Sequence, residues 1–282
     1  MEGKLKSVFI SVFPLIALAL LVYTIYQGIV DFSFVLLGQA IIAGAIVRFF
    51  SGLFITKRPR TDSIVLPYTL PIIIGYFIAV AGAFYEGVEN QNLILPSLLS
   101  VLWIAYLRWY SVFNNRQKGS IIKVGEKLKK FSLENTDKQV VHSDSYLGKA
   151  TIFIFYRGNW CPLCMAQIKE VAGQYKELES RNIRMVLVSP QPHQYTQKLA
   201  KKFNVGFEFM VDARNKAAKQ LGILSENGIP AGFQALGYDS DTVMPTVIIT
   251  DTKNKIIFAD LTDNYRVRPE PETFLRVIDE LD

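Results

Sequence analysis

Four long apolar segments in the first 113 residues constrain the fold of this chain more than any other feature of its sequence. They run over residues 8–30, 34–55, 64–85 and 93–113. Each is close to the length of about 20 residues that a helix needs to cross the hydrocarbon core of a bilayer. Residues 1–113 are therefore predicted to form a membrane domain of four transmembrane helices, with the lipid bilayer as its partner.

The first apolar segment has a rival interpretation as a cleaved signal peptide. Lys4 and Lys6 precede it, and the small residues Ala17 and Ala19 lie within it. Its apolar run is longer than the core of an ordinary signal peptide, and further apolar segments follow. A retained helix is therefore favoured, and the four segments together are interpreted as an anchor.

Lysine and arginine residues occur in alternate loops of this membrane domain. The N-terminal tail, residues 57–60 and the stretch after Phe113 carry them, whereas the loops at Asp31 and at residues 86–89 carry none. Because basic loops stay on the cytoplasmic side, both termini and the C-terminal domain are predicted to be cytoplasmic. The net charge of +6 is attributed to these loops, since no nucleic-acid-binding motif accompanies it.

Residues 121–282 follow a polar linker at 114–120 and have a different pattern, in which short apolar runs alternate with segments of helical periodicity. The predicted strands are 131–134, 139–142, 151–156, 184–189, 207–211, 246–250 and 256–260, and the predicted helices are 162–181, 194–203, 214–221 and 270–282. Alternating strands and helices that end in a hairpin predict a three-layer α/β domain.

Both cysteines of the chain, Cys161 and Cys164, lie at the junction between the strand 151–156 and the helix 162–181. A Cys-x-x-Cys at such a junction indicates a redox motif of the thioredoxin type. Unpaired N–H groups and the positive end of the helix dipole stabilise a thiolate there and lower the pKa of the leading sulfur. The pair is expected to cycle between a dithiol and a disulfide.

The residues around the cysteines suit this site. Pro162 fits the first helical position, where its missing N–H has no cost. Arg157 adds positive charge, and Trp160 is expected to shield one side of the sulfur. A zinc half-site is disfavoured because zinc needs four ligands and the two histidines lack ligand spacing. A purely structural disulfide that closes so short a loop would contribute little stability. No metal or cofactor is predicted.

Five stretches in this half of the chain carry a family resemblance. They are 124–126, 155–164, 211–223, 244–246 and 264–272. Through them the chain from about residue 121 onward resembles the peroxiredoxin-like branch of the thioredoxin superfamily, the alkyl hydroperoxide reductase and thiol-specific antioxidant group. The resemblance implies a thioredoxin-like domain with antioxidant oxidoreductase activity. It also implies a peroxide or protein-disulfide substrate, and a thioredoxin-like protein or small thiol as reductant.

The resemblance places Cys164 at the position of the peroxidatic cysteine. Arg157 then stands where the family motif has a proline, and Cys161 stands where it has the threonine that orients the peroxide. Further along, the family has an arginine and a small residue before the threonine that Thr246 resembles. Met244 and Pro245 occupy those two positions here.

Pro245 also resembles the cis-proline of thioredoxins, where the backbone before the proline pairs with the bound substrate. The site therefore combines features of two groups. In the thioredoxin arrangement Cys161 attacks and Cys164 resolves, whereas in the peroxiredoxin arrangement the roles are reversed. Exposure at the start of the helix favours Cys161 as the attacker, and either order ends in a Cys161–Cys164 disulfide.

Two functions from different classes follow. The first is a membrane-anchored thiol redox enzyme that reduces peroxides or exchanges disulfides. The second is a non-enzymatic redox sensor or membrane scaffold that the cysteine pair switches. Two arginines near the C-terminus, Arg266 and Arg268, are interpreted as a solvated surface before the last helix rather than an anion-binding pair. Tyr156 either faces the site or fills the core.

Overall fold

A computed structural model describes residues 1–87, 90–113, 116 and 121–280 of the chain. Most of the predicted linker, Glu89 and the last two residues lie outside the described residues. The chain folds into two compact units, one formed by Val8–Lys57 and Thr61–Val112 and the other by Met1–Ser7, Arg58–Arg60 and Phe113–Asp282. We call them the helical unit and the sheet unit. The boundaries predicted for the membrane domain, linker and redox domain stay predictions.

Four helices occupy the first part of the chain. They are α1 (Glu2–Val30), α2 (Phe34–Ile55), α3 (Leu66–Glu86) and α4 (Ile94–Ala105), with a 3₁₀ turn at Asn90–Leu93 before α4 and a π-helical turn at Tyr106–Tyr110 after it. Among the described residues, α1, α2 and α3 are long and apolar enough to cross a membrane, and the apolar helix Ile94–Tyr110 is shorter. Three of the four predicted transmembrane helices are thus candidate spans, and the fourth span stays a prediction.

Small residues let α2 and α3 pack closely. A Cβ atom on Gly75 would lie 2.8 Å from the carbonyl oxygen of Gly38, and one on Gly82 would lie 2.5 Å from the Cβ of Phe34. A polar contact joins α1 to α2, where Gln39 Nε2 donates to Thr24 Oγ1 over 2.7 Å. Both features are typical of helix packing in an apolar environment.

Several aromatic rings near the end of α4 are packed inside the helical unit. Tyr106 and Tyr110 are buried and stack with ring centroids 5.6 Å apart. Trp103 is also buried, and its Nε1 donates to Thr69 Oγ1 over 3.1 Å. Trp103 and Tyr106 also pack edge-to-face against Phe49 of α2, with ring centroids 5.2 and 5.5 Å away, and so contribute to the packing of α4 on α2.

The sheet unit is built on seven strands in the order β2-β1-β5-β4-β3-β8-β9. β3, β4 and β5 are parallel, whereas β8 and β9 form an antiparallel hairpin at one edge. The strands of this sheet are β1 (Ser132–Glu134), β2 (Val140–His142), β3 (Thr151–Phe155), β4 (Arg184–Ser189), β5 (Glu208–Val211), β8 (Thr246–Thr250) and β9 (Ile256–Asp260). A second, two-stranded sheet pairs β6 (Leu224–Ser225) with β7 (Thr242–Val243).

Helices of the sheet unit fall close to the predicted positions. They are α5 (Pro162–Gly173), α6 (Tyr175–Ser180), α7 (His193–Phe203), α8 (Lys216–Gln220) and α9 (Pro271–Asp279), with 3₁₀ turns at Ser143–Tyr146, Ala213–Asn215 and Phe233–Leu236. The single helix predicted over 162–181 is divided at Gln174, directly after Gly173, because glycine is a poor helix former. The helix predicted from 214 starts later, since Arg214 and Asn215 have positive φ angles.

Strand pairing brings distant parts of the chain to the cysteines. All five residues of β3 are buried, so both faces of the sheet are covered, as in a three-layer α/β domain. At the end of β3, Phe155 pairs with Thr246, the first residue of β8. The segment Met244–Pro245 therefore lies next to the loop that leads to Cys161, although 80 or more residues separate them in sequence.

Candidate active site

A tight loop joins β3 to α5 and sets the position of the first cysteine. Gly158 has a φ of +147°, and a Cβ atom at this position would lie 2.6 Å from Trp160 Nε1. The Cys161 amide donates to the Gly158 carbonyl over 3.2 Å. Cys161 is the N-cap of α5, and Pro162 occupies the first helical position as predicted. Glycine is required at residue 158 because a side chain would meet the Trp160 ring.

Both cysteines are free thiols, and both are buried. Cys161 is 2% exposed and Cys164 is completely covered. The expectation that Cys161 is exposed at the start of the helix is therefore wrong. The loop before α5 covers the helix end, so exposure does not distinguish the two sulfurs.

Arg268 is the closest charged partner of Cys164. Its Nη2 atom lies 3.4 Å from Cys164 Sγ, and its Nη1 donates to Gln167 Oε1 over 2.8 Å. A third bond, from Nε to the Tyr265 carbonyl, fixes the base of the guanidinium. Cys164 and Gln167 are three residues apart on α5 and so share one face of the helix. Gln167 thus holds the Arg268 guanidinium against the Cys164 sulfur, and both of these partners lie on α5.

The pKa values of the two thiols are driven in opposite directions. Burial alone would raise the pKa of Cys164, but a hydrogen bond from the Cys161 thiol and the positive charge and hydrogen bond of Arg268 outweigh it and lower that pKa well below its ordinary value. The hydrogen bond to Cys164, together with burial, raises the pKa of Cys161. The first proton is therefore lost from Cys164, with Cys161 remaining a thiol that donates to it.

Arg157 and Trp160 form a second layer beside the cysteines. The Arg157 guanidinium is buried, lies 4.8 Å from the centre of the Trp160 ring and donates to the Gly228 carbonyl. The positive charge of Arg157 acts to lower the pKa of Cys161, and the sequence analysis predicted that Arg157 would add positive charge at this site. Trp160 contacts Phe233 on its other side, with ring centroids 5.7 Å apart. Its predicted role as a cover for the sulfur stays a prediction.

The Met244–Pro245 peptide bond is trans, which corrects the expectation drawn from thioredoxins. Met244 continues the extended backbone of β7, and its amide donates to the Ile223 carbonyl over 2.7 Å. The Met244 carbonyl accepts from Thr246 Oγ1 over 2.8 Å. The Thr246 hydroxyl also accepts from Arg116 over 2.7 Å. The backbone before Pro245 is therefore already bonded within the domain, and a trans bond suits this extended path.

A buried glutamine that the sequence did not single out supports the cysteine loop. Gln191 Oε1 accepts from the Asn159 amide over 2.8 Å. Its Nε2 atom donates to the Tyr156 hydroxyl and to Thr196 Oγ1, each over 3.1 Å. Tyr156 is fully buried, and its pKa is raised by burial and by the charge of Cys164. The sequence left open whether Tyr156 faces the site or fills the core, and in the structure it does both.

The two C-terminal arginines are not a solvated surface. Arg266 is completely buried and Arg268 is 5% exposed. A signal for this was present in the sequence, because positive side chains just before a helix N-terminus are disfavoured by the helix dipole. Two arginines directly before α9 should therefore have been expected to have partners elsewhere in the fold.

Comparison with known proteins identifies the relatives of the sheet unit. Residues 124–259 match the sequence profile of the AhpC/TSA family. Peroxiredoxin Bcp of Escherichia coli K12 is 23% identical over 145 residues, which cover 51% of this chain and 90% of that protein. This part of the chain is a peroxiredoxin-like domain of the thioredoxin superfamily. Its predicted enzyme class, an oxidoreductase, is confirmed, and the non-enzymatic alternative loses support.

Two further similarities extend the comparison of the peroxiredoxin-like domain. The thiol-disulfide oxidoreductase ResA of Bacillus subtilis is 24% identical over 116 residues, covering 41% of this chain and 63% of that protein. The crystal structure of peroxidoxin BcpB from Mycobacterium tuberculosis is similar with a TM-score of 0.47 at 17% identity, over 57% of this chain and 99% of that one.

Proposed function

We propose that this protein is a membrane-anchored, thiol-dependent peroxidase in which Cys164 attacks the peroxide and Cys161 resolves the product. The observation that carries the proposal is the Arg268 guanidinium 3.4 Å from a fully buried Cys164 sulfur. A buried thiolate beside a guanidinium is a strong nucleophile, and the same positive charge stabilises negative charge that develops on a peroxide oxygen.

The reaction is written in three balanced steps. The Cys164 thiolate attacks the terminal oxygen of a hydroperoxide, the O–O bond breaks, and a proton converts the leaving alkoxide to an alcohol. Cys161 then attacks the Cys164 sulfenic acid, forming the disulfide and releasing water. A dithiol of a thioredoxin-like protein, or two molecules of a small thiol, then reduces the disulfide; both cysteines return to thiols, and the reductant becomes a disulfide.

Two features favour a peroxide over a protein disulfide as substrate. Both sulfurs are buried, so a small molecule reaches them with less rearrangement than a protein disulfide needs. The Met244 amide, which a thioredoxin-like protein would offer to a bound peptide, is bonded to Ile223. Thiol–disulfide exchange is the second candidate, because Cys161 and Cys164 have the spacing of exchange enzymes and the relative ResA is named for that activity.

The helical part of the chain is proposed to be a multi-pass membrane anchor of four spans. Among the described residues, all but four of the exposed large apolar side chains lie at or before residue 104. Lipid would cover this surface, which water would disfavour. The distribution of Lys and Arg in the loops supports a cytoplasmic position for both termini and for the peroxiredoxin-like domain.

The test is hydrogen peroxide consumption by the full-length protein in detergent micelles, with a dithiol as electron donor. We expect steady turnover by the wild type and background consumption by Cys164→Ser. Exchange activity is measured in parallel with a model protein disulfide. Turnover of the protein disulfide without consumption of peroxide would overturn the peroxidase assignment and favour the second candidate.

A further inference from the structure

Arg60 makes a set of contacts that its position in a basic loop does not require. The segment Arg58–Arg60 belongs to the sheet unit. Arg60 Nη1 donates to Glu170 Oε1 over 3.0 Å, and its Nη2 donates to the other oxygen of the same carboxylate. Nη2 also lies 3.3 Å from the Pro269 carbonyl oxygen, and the Glu270 carboxylate lies 3.8 Å from Nη1. A planar guanidinium paired with both oxygens of a carboxylate is held in a defined orientation.

The partners of Arg60 lie on the two segments that form the thiolate site. Glu170 is on α5, the helix that carries Cys164. Pro269 directly follows Arg268, whose guanidinium bonds to the sulfur. Arg60 therefore connects the helix of the nucleophile to the segment of its positive partner. Both Arg60 and Pro269 lie outside residues 124–259, which match the family profile.

We propose that Arg60 is a positioning residue that holds Arg268 against the Cys164 sulfur. It does so by donating hydrogen bonds to both the Glu170 carboxylate and the Pro269 carbonyl. The inference rests on the proposed role of Cys164 as the thiolate. It makes the reactivity of the peroxiredoxin-like domain depend on a residue from the loop between α2 and α3. Arg268 itself also connects the segment after β9 to the cysteine helix, since it bonds to Gln167 and Cys164.

Different groups act on Cys164 and on Arg60 among the described residues. Arg268, Arg157, Cys161 and Tyr156 act on Cys164, and Glu170 and Glu270 face Arg60. Removal of Arg60 leaves these four groups around Cys164 chemically unchanged. A rise in the pKa of Cys164 that exceeds the effect of the same charge loss at Arg58 would therefore support a change in the position of Arg268.

The experiment is a pH titration of the Cys164 thiolate in the reduced, full-length protein in detergent micelles. The ultraviolet absorbance of the thiolate is measured against the matching Cys164→Ser variant, so that tyrosine ionisation cancels. We expect Arg60→Ala to raise the midpoint by about half a pH unit, which is roughly a threefold loss of thiolate on the acid side. Arg58→Ala, in the same loop with the same change in charge and an exposed side chain, should follow the wild type.

A charge-reversed pair gives the second test. Arg60→Glu alone should raise the midpoint, and Arg60→Glu combined with Glu170→Arg should return it toward the wild-type value. An unchanged midpoint in Arg60→Ala, or an equal shift in Arg58→Ala, would overturn the proposal. If Arg60→Ala fails to fold, the double variant Arg60→Glu with Glu170→Arg is the test. A midpoint that stays raised in this double variant would contradict the proposed role of the contact between residues 60 and 170. The titration uses no peroxide, so its result is independent of peroxidase activity. If the wild-type Cys164 titrates at a low midpoint but the protein does not consume peroxide, the proposed function is contradicted and the Arg60 proposal is not.

Discussion

The Nη2 atom of Arg268 lies 3.4 Å from the Sγ atom of Cys164, and both side chains are closed to solvent. The arginine that the family motif places before the threonine is Met244 in this chain. The structure supplies a guanidinium to the sulfur from a different segment, after the last strand of the sheet. The site therefore keeps the positive charge that a thiolate needs, although the sequence around Thr246 lacks it.

Removal of the guanidinium should shift the pH dependence of the reaction. Burial alone raises the pKa of Cys164, and the hydrogen bond from Cys161 together with the charge and hydrogen bond of Arg268 lowers it overall, so the thiolate persists to lower pH than in an ordinary cysteine. In Arg268→Met the rising limb of the rate–pH profile should move to higher pH. On the acid side of the midpoint, a shift of one unit makes the rate roughly tenfold lower.

The matched control for that variant is Arg276→Met, which removes the same charge from the exposed face of α9. Its profile should follow the wild type. The measurement is the second-order rate of peroxide reduction across pH, with thermal unfolding as a check on folding. Coincident profiles for Arg268→Met and the wild type would contradict the assigned role.

Substitution of the resolving cysteine should trap the oxidised nucleophile. Cys161→Ser keeps a hydroxyl that can donate to Cys164, so the first peroxide should still be consumed. Without a thiol to resolve it, the sulfenic acid on Cys164 should persist and react with a dimedone probe. Mass spectrometry of the labelled peptide identifies the modified residue. A probe adduct on Cys161 in the reciprocal Cys164→Ser variant, with retained peroxide consumption, would reverse the two assignments.

A methyl group at residue 158 should disturb the cysteine loop. Gly158 has a φ of +147°, and its added Cβ would lie 2.6 Å from Trp160 Nε1. We expect Gly158→Ala to destabilise the sheet unit by about 1–3 kcal/mol and to slow peroxide reduction. Gly173→Ala is the control, because nothing lies within 4 Å of its added Cβ and alanine favours a helix by roughly 0.5–1 kcal/mol. Equal unfolding midpoints for the two variants would show that the loop tolerates a side chain.

The proposed topology can be tested with new cysteines at exposed positions. The native cysteines are buried and report poorly on sidedness, so both are first replaced by serine. Asp31→Cys lies in a loop without basic residues, and Lys253→Cys lies in the turn between β8 and β9. In intact cells a membrane-impermeant thiol reagent should label residue 31 and should label residue 253 only after lysis. Labelling of residue 253 before lysis would place the domain outside.

Local patterns in the sequence predicted much of this protein. Apolar length alone placed α2 at Phe34–Ile55, and alternation of apolar runs with helical periodicity placed the central strands of the sheet. The position of Cys161 and Pro162 at the start of α5 also followed from the sequence, because helix-start chemistry depends only on neighbouring residues. These features are set by interactions between residues that are close along the chain.

The sequence predicted a lowered pKa at the leading sulfur, Cys161, whereas the structure raises the pKa of Cys161 and lowers that of Cys164. The lowered pKa of Cys164 depends on Arg268, which is about 100 residues away in the chain. Gln191 and Arg60 also contact the cysteine loop and helix from distant parts of the chain. Charge and hydrogen-bond interactions act through distances in space, and burial strengthens them by removing water. The sequence therefore determined the elements and the cysteine motif, whereas only the tertiary structure decided the electrostatic environment that lowers the pKa of Cys164.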